Sequence, residues 1–184
     1  MTQESKRIIL GVDPGTKIMG YGLIVVQQKE LALLRYGVIN LSKYTNQALK
    51  LKKIAERMNE LLDEYHPDEM ALESPFYGKN IQVALKLGRA QGVAMAAALV
   101  REIPITEYAP RKIKQSVTGN GNASKEQVAA MLRTLLNFKE KDILLDATDA
   151  LGVAVCHFFQ TKNPDAGKYS GWNSFIKDNP DRIK

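Results

Sequence analysis

The chain of 184 residues is long enough for one domain with a sizeable core, and its 45% hydrophobic and 25% charged residues are typical of a soluble globular protein. It has no apolar run of about 18 residues, which excludes a transmembrane helix, and its basic N-terminus is not followed by the apolar core of a secretion signal. The net charge of +6 favours an anionic partner. The single cysteine, Cys156, excludes an intrachain disulfide and a cysteine-rich zinc site, so the cytoplasm is the expected compartment.

The first predicted element is a strand, Ile8 to Val12, that leads directly into a carboxylate. Its aliphatic residues predict burial on both faces, and Asp13 is followed by the turn sequence Pro-Gly-Thr. An ionised Asp at the end of a buried strand is unfavourable unless a metal ion, a ligand's metal or backbone N–H groups pair with it. Asp-Pro-Gly is also a common turn sequence. Taken alone, Asp13 is therefore as compatible with a residue that only stabilises the turn through its own backbone as with a functional carboxylate.

Two strands and a helix follow. Residues 21–26 and 31–41 predict strands, and the short polar segment between them indicates an antiparallel hairpin. Residues 46–65 have one apolar stripe, which predicts an amphipathic helix that ends before Pro67. Residues 68–73 then predict a strand parallel to the first, and this strand also ends in an acid, Glu73, before a Ser-Pro turn.

The middle of the chain is basic. Residues 79–125 contain eight Lys and Arg against two Glu, a surplus equal to the net charge of the whole chain. Such a segment favours a polyanion partner, although a solvated helix face is the alternative. It includes a small-residue helix, 79–101, that could pack on its own sheet or against another subunit. A strand, Ile105 to Tyr108, and a short basic helix, 110–117, follow.

The last two predicted helices are 125–138, with a capping box from Ser124 and Gln127, and 144–160. Asp146 and Asp149 lie three residues apart, on one face near the start of the last helix. The helix dipole alone favours acids there, but their neighbours are apolar, and two partly buried carboxylates repel unless a cation lies between them. His157 would lie about 16 Å further along the helix, so it is expected to pack or to lie at the surface.

The acids Asp13, Glu73, Asp146 and Asp149 form a candidate metal site. Ligand sets made only of oxygen suit Mg²⁺ or Mn²⁺ and not Zn²⁺. Several carboxylates that hold two such ions are the arrangement used for in-line phosphoryl transfer. Combined with the basic segment, the acids predict a nuclease or a nucleotidyl transferase.

Six motifs occur in order between about residues 7 and 160, and together they resemble the RuvC-type Holliday junction endonucleases, which have a ribonuclease H-like fold. The first motif alone is less specific, because sugar kinases and actin-like ATPases also begin with a strand-Asp-x-Gly turn. The motifs are ILGVDPGT (9–16) with GYG (20–22), ESPFYGKN (73–80), ALKLGRAQG (84–92), KQSVTGNG (114–121), KEQV (125–128) with RTLL (133–136), and DATDAL (146–151).

The resemblance implies an α/β fold with a central mixed five-stranded sheet, an antiparallel hairpin plus parallel strands, flanked by helices. It implies one nuclease domain over residues 1–160. The remaining residues, 161–184, match none of the motifs, and their polar composition with Pro, Gly and mixed charge predicts a weakly ordered tail. It also implies symmetric nicking of two opposing strands of a four-way DNA junction, in recombination and repair, by an enzyme that uses Mg²⁺ or Mn²⁺, with two ions expected per active site. The four acids correspond to the catalytic, metal-binding set, and the DNA-binding residues would be Phe76, Lys79, Arg111, Lys112, Lys114 and Lys125.

The implied partners are a second copy of the chain, a junction-binding tetramer and a branch-migration motor of the RuvA/RuvB type. The helix 79–101 would form the contact between the two copies. Alternatives are a ribonuclease H-like nuclease that acts on another nucleic acid and a non-catalytic junction-binding module. An actin-like ATP-binding protein would need a second domain and a second phosphate loop, for which the chain has no room.

Overall fold

The computed structural model describes residues 6–28, 30–75, 80–138 and 145–162. The strands of this part of the chain are β1 (Arg7–Asp13), β2 (Ile18–Gln27), β3 (Glu30–Asn40), β4 (Glu69–Glu73) and β5 (Ile105–Tyr108). Its helices are α1 (Gln47–Tyr65), α2 (Ile81–Leu99), α3 (Pro110–Thr118), α4 (Lys125–Leu135) and α5 (Leu145–Thr161).

The five strands form one mixed sheet in the order β3-β2-β1-β4-β5, which confirms the predicted architecture. The β1–β2 and β2–β3 pairs are antiparallel, as expected for a hairpin extended by the first strand. The β1–β4 and β4–β5 pairs are parallel, and α1 makes the crossover between β3 and β4. The first strand of the chain therefore lies in the middle of the sheet.

Helices cover both faces of the sheet, and β1 is buried between them. Leu10 and Val12 belong to the core shared with α1 and α2, whereas Ile9 packs into the core shared with α4 and α5. All three side chains have no exposed surface. The continuous apolar run of β1 is thus explained by a sheet that is covered on both sides.

Two glycines of the sheet let α5 lie unusually close to it. A Cβ on Gly11 would overlap the carbonyl oxygen of Ala150, and a Cβ on Gly20 would overlap the carbonyl oxygen of Asp146. Only a residue without a side chain permits this approach of helix backbone to strand. The start of α5 is therefore held directly over β1 and β2.

The helix ends follow the sequence signals in most places. Asn46 caps α1 by accepting a hydrogen bond from the N–H of Ala48 at 2.7 Å, and exposed His66 ends that helix in a left-handed conformation. The predicted capping box of α4 is present. That helix ends at Leu135, three residues earlier than predicted, because the chain turns away through Asn137 at φ 47°.

Within the described residues, we find no helix that combines the length and the apolar character needed to cross a membrane.

Candidate active site

Two of the predicted acids lie side by side at one edge of the sheet. Asp13 is the last residue of β1, and Glu73 is the last residue of β4. The two strands are parallel neighbours, with Val12 opposite Leu72, so both strands end at the same edge of the sheet. The structure thus places the two carboxylates that the sequence predicted at strand ends side by side.

The start of α5 supplies the other two acids. Asp146 and Asp149 lie in its first turns, which the close contact with Gly20 holds against the sheet. Carboxylate oxygens of Asp13, Asp146 and Asp149 all lie within 4.8 Å of one another. Residues distant in sequence therefore form one compact cluster of acids.

Glu73 lies beside this cluster, in a cleft that also contains two lysines. The cavity has a volume of about 250 Å³. The ammonium group of Lys125 donates a hydrogen bond to Asp149. The residues around the cleft are Asp13, Glu73, Pro110, Ile113, Lys114, Lys125, Val128 and Asp149.

Burial and the charges of neighbouring acids raise the pKa values of Asp13 and Glu73. Burial, followed by the charges of Glu73 and Asp149, raises the pKa of Asp13 from its usual 3.8 to about 8. Burial and the charge of Asp149 likewise raise the pKa of Glu73 from 4.5 to about 7. Lys125 opposes both changes and has its own pKa raised, chiefly by its hydrogen bond to Asp149. With all four acids ionised, the site would carry more negative charge than Lys114 and Lys125 neutralise, and the raised pKa values reflect the cost of that state.

This excess charge and the chemistry of the donors fit a divalent cation. All the candidate ligand atoms are carboxylate oxygens, which Mg²⁺ and Mn²⁺ prefer. The spacing of the Asp13, Asp146 and Asp149 oxygens would let one cation contact all three side chains. A bound cation would also offset both the burial and the repulsion that raise the pKa of Asp13.

The predicted basic residues divide into two groups. Lys114 and Lys125 line the cleft, whereas Arg111 and Lys112 lie exposed on α3, outside its lining. Arg111 instead extends over the following loop, where its Cγ lies 2.8 Å from the position that a Cβ on Gly121 would occupy. Two further predicted DNA-binding residues, Phe76 and Lys79, lie outside the described residues.

One polar network was not found from the sequence. His157 packs inside the protein, with 3% of its surface exposed. Of the two placements expected for it, packing and the surface, packing is confirmed. Its Nδ1 lies 2.8 Å from the hydroxyl of Tyr108, and its Nε2 is hydrogen bonded to Glu69, which also accepts from Arg7 at 2.5 Å. No local pattern reveals this network, because its members lie far apart in the chain. It ties α5 to three strands.

The chain matches the family profile described as crossover junction endodeoxyribonuclease RuvC over residues 9–157. It is 66% identical over 178 residues to a protein of that name from Cytophaga hutchinsonii, which covers 97% of this chain and 88% of the relative. The match to a RuvC structure from Thermus thermophilus has a TM-score of 0.77 and 32% identity, and covers 84% of this chain and 95% of the other.

A second Thermus thermophilus structure, of RuvC in complex with a Holliday junction substrate, matches with a TM-score of 0.76 and 29% identity. It covers 85% of this chain and 95% of the other. The family profile spans most of this chain, including every acid of the cluster. The chain therefore belongs to the RuvC family of crossover junction endodeoxyribonucleases.

Proposed function

We propose that this protein resolves four-way DNA junctions by metal-dependent hydrolysis of phosphodiester bonds in two opposing strands. The observation that carries the proposal is the cluster of Asp13, Asp146 and Asp149, with oxygens within 4.8 Å of one another, in a chain of the RuvC family. Glu73 and the two lysines of the cleft complete the candidate machinery. Residues 1–160 would form the nuclease domain, and a cytoplasmic location is part of the same proposal.

In this proposal the four acids hold two Mg²⁺ or Mn²⁺ ions. When bound, such ions would activate a water molecule and stabilise the leaving oxygen. Asp13 clusters with the two acids of α5 and also interacts electrostatically with Glu73, so it would be the candidate ligand shared by both ions. Asp13 is partly buried at the end of the central strand β1, which restricts where its carboxylate can lie before any ligand binds.

Basic residues around the cleft would hold the DNA backbone. Lys114 and Lys125 lie in the cleft itself, where they can contact phosphates next to the bond that is cut. Arg111 and Lys112 would contact phosphates further away, as they are exposed on the same helix as Lys114. Lys79 would extend this basic surface. Phe76 would stack on bases near the junction centre, the role that the resemblance of its motif to the family implies.

We further propose that the protein acts as a homodimer joined through α2. Ile81, Leu85, Gly88 and Gly92 recur at helical spacing on one face of this helix. Ile81 is 72% exposed, Leu85 is 50% exposed, and a Cβ on either glycine would meet no described atom within 4 Å. An apolar face with space for a second backbone fits a self-contact. Two copies would supply the two symmetric cuts, and a RuvA/RuvB-type tetramer and motor would deliver the junction.

The proposal is tested by cleavage of a synthetic four-way junction with the Asp13→Asn variant in Mg²⁺. Cleavage is expected to fall below detection while junction binding is retained, because the substitution removes a ligand and leaves the basic surface intact. Glu126→Gln is the matched control, since this exposed acid lies next to Lys125 but outside the cleft lining. Persistent cleavage by Asp13→Asn would refute the proposed mechanism.

A comparison of substrates separates this proposal from its alternatives. A junction resolvase should cut the four-way junction in preference to linear duplex DNA and to an RNA–DNA hybrid of the same sequence. Preference for the hybrid would favour a ribonuclease H-like activity. Metal-independent junction binding without cleavage of any substrate would favour a non-catalytic module.

A further inference from the structure

Lys125 occupies an unusual place among the basic residues of the cleft. It is the first residue of α4, and its ammonium group donates directly to Asp149, one of the three clustered acids. The side chain of Lys125 is 52% exposed, whereas that of Asp149 is 18% exposed. The lysine therefore reaches from the solvent side into the set of oxygens that would bind a cation.

Lys114 lines the same cleft but differs in its contacts. Among the described residues, Lys125 makes the ion pair with an acid of the cluster, and no ion pair of Lys114 with these acids is found. Both lysines lower the electrostatic repulsion around Glu73 through space. The direct contact of Lys125 is thus a separate effect from the general positive charge of the cleft.

We propose that Lys125 is a built-in counter-ion of the metal-free site, which competes with the divalent cation for Asp149 and is released when the cation binds. This inference rests on the proposed function, since it takes the four acids to be the metal site. A carboxylate oxygen that accepts a hydrogen bond from an ammonium group is a weaker ligand for a cation. The cation and Lys125 therefore compete for the negative charge of Asp149, and each weakens the binding of the other.

The released ammonium group has a second role in this scheme. Because its side chain is half exposed at the opening of the cleft, Lys125 can turn towards a phosphate of the bound strand once Asp149 is occupied. Metal binding would then prepare the cleft for DNA in two ways. It neutralises the acids, and it frees a cation for the substrate.

The experiment is a calorimetric titration of MnCl2 into the metal-free, full-length protein, with no DNA present. Lys125→Met should bind Mn²⁺ about fivefold more tightly than the wild type, the effect expected for loss of a half-exposed ion pair. Lys125→Arg keeps the charge and should bind as the wild type does. Lys114→Met, the matched control, should show a clearly smaller change than Lys125→Met.

Thermal unfolding supplies a second measurement without cleavage. The rise in Tm produced by saturating Mn²⁺ should be larger for Lys125→Met than for the wild type, because the metal-free variant loses its counter-ion. Equal affinities of the wild type and Lys125→Met, or equal effects of Lys125→Met and Lys114→Met, would overturn the inference and leave the proposed function intact. Failure of the wild type itself to bind Mn²⁺ would overturn the proposed function as well.

Discussion

Neutralising Asp13 should stabilise the metal-free protein, although it removes a residue on which activity depends. In the unfolded chain Asp13 has its usual pKa of 3.8, whereas burial and the neighbouring acids raise it to about 8 in the folded protein. The folded state therefore binds this proton more tightly than the unfolded state does. Stability that is fully present below about pH 4 is lost progressively as the pH rises towards about 8.

The size of the effect follows from the two pKa values. At about 1.4 kcal/mol per pH unit, the difference between 3.8 and about 8 corresponds to a loss of at most about 6 kcal/mol. The cleft is open to solvent, so we expect ~2 kcal/mol to be recovered by Asp13→Asn at about pH 8. For a chain of this length that is a rise in Tm of roughly 4–8 °C.

The assay is thermal unfolding in EDTA at about pH 5 and about pH 8. Wild-type protein should be less stable at the higher pH, and Asp13→Asn should lose less stability over the same range. Addition of Mg²⁺ at the higher pH should reverse the order, because a bound ion stabilises the wild type through the ligand that the variant lacks. A variant that is less stable than the wild type in EDTA at about pH 8 would refute the reasoning.

Three other substitutions test the framework of the site. Gly20→Ala should push the backbone at Asp146 away from β2, with a loss of ~1–3 kcal/mol in chemical denaturation and a loss of junction cleavage; unchanged stability and cleavage would contradict this. His157→Phe should cost ~1–3 kcal/mol of unfolding free energy, because the partly buried side chains of Glu69 on β4 and Tyr108 on β5 lose a hydrogen-bond partner; an unchanged denaturation midpoint would contradict this. Phe76→Ala should slow junction cleavage about 10–100-fold without a matching loss of stability; an unchanged rate would remove its ring from the mechanism.

The fold was predictable because the residue pattern of each strand agrees with the burial and pairing of that strand in the sheet. The aliphatic run of β1 is buried on both faces, and the hairpin that follows has the predicted antiparallel pairing. The end of α4 was misplaced because apolar residues continue past Leu135, while the left-handed turn at Asn137 depends on tertiary structure. Periodicity thus identified the elements, and side-chain packing decided where one of them stops.

The acids of the candidate site were predictable for a related reason. An ionisable residue at the end of a buried strand, as at Asp13 and Glu73, conflicts with its apolar surroundings, and that conflict is visible in the sequence. The contact between Lys125 and Asp149 was not predictable, because the two residues lie 24 positions apart on different helices. Contacts of this kind are set by how α4 and α5 pack, which no local pattern encodes.

The burial of α5 makes the site and the core one cooperative unit. This helix lies between the sheet and α3 and α4, and its residues from Ala150 to Phe158 are almost without exposed surface. Local opening of this helix beyond Asp149 would therefore expose the core on both of its sides. The amide hydrogens of residues 150–158 should exchange with solvent only about as fast as the whole protein unfolds. Repulsion among the acids is thus resisted by the stability of the entire domain, which keeps them together before a metal ion arrives.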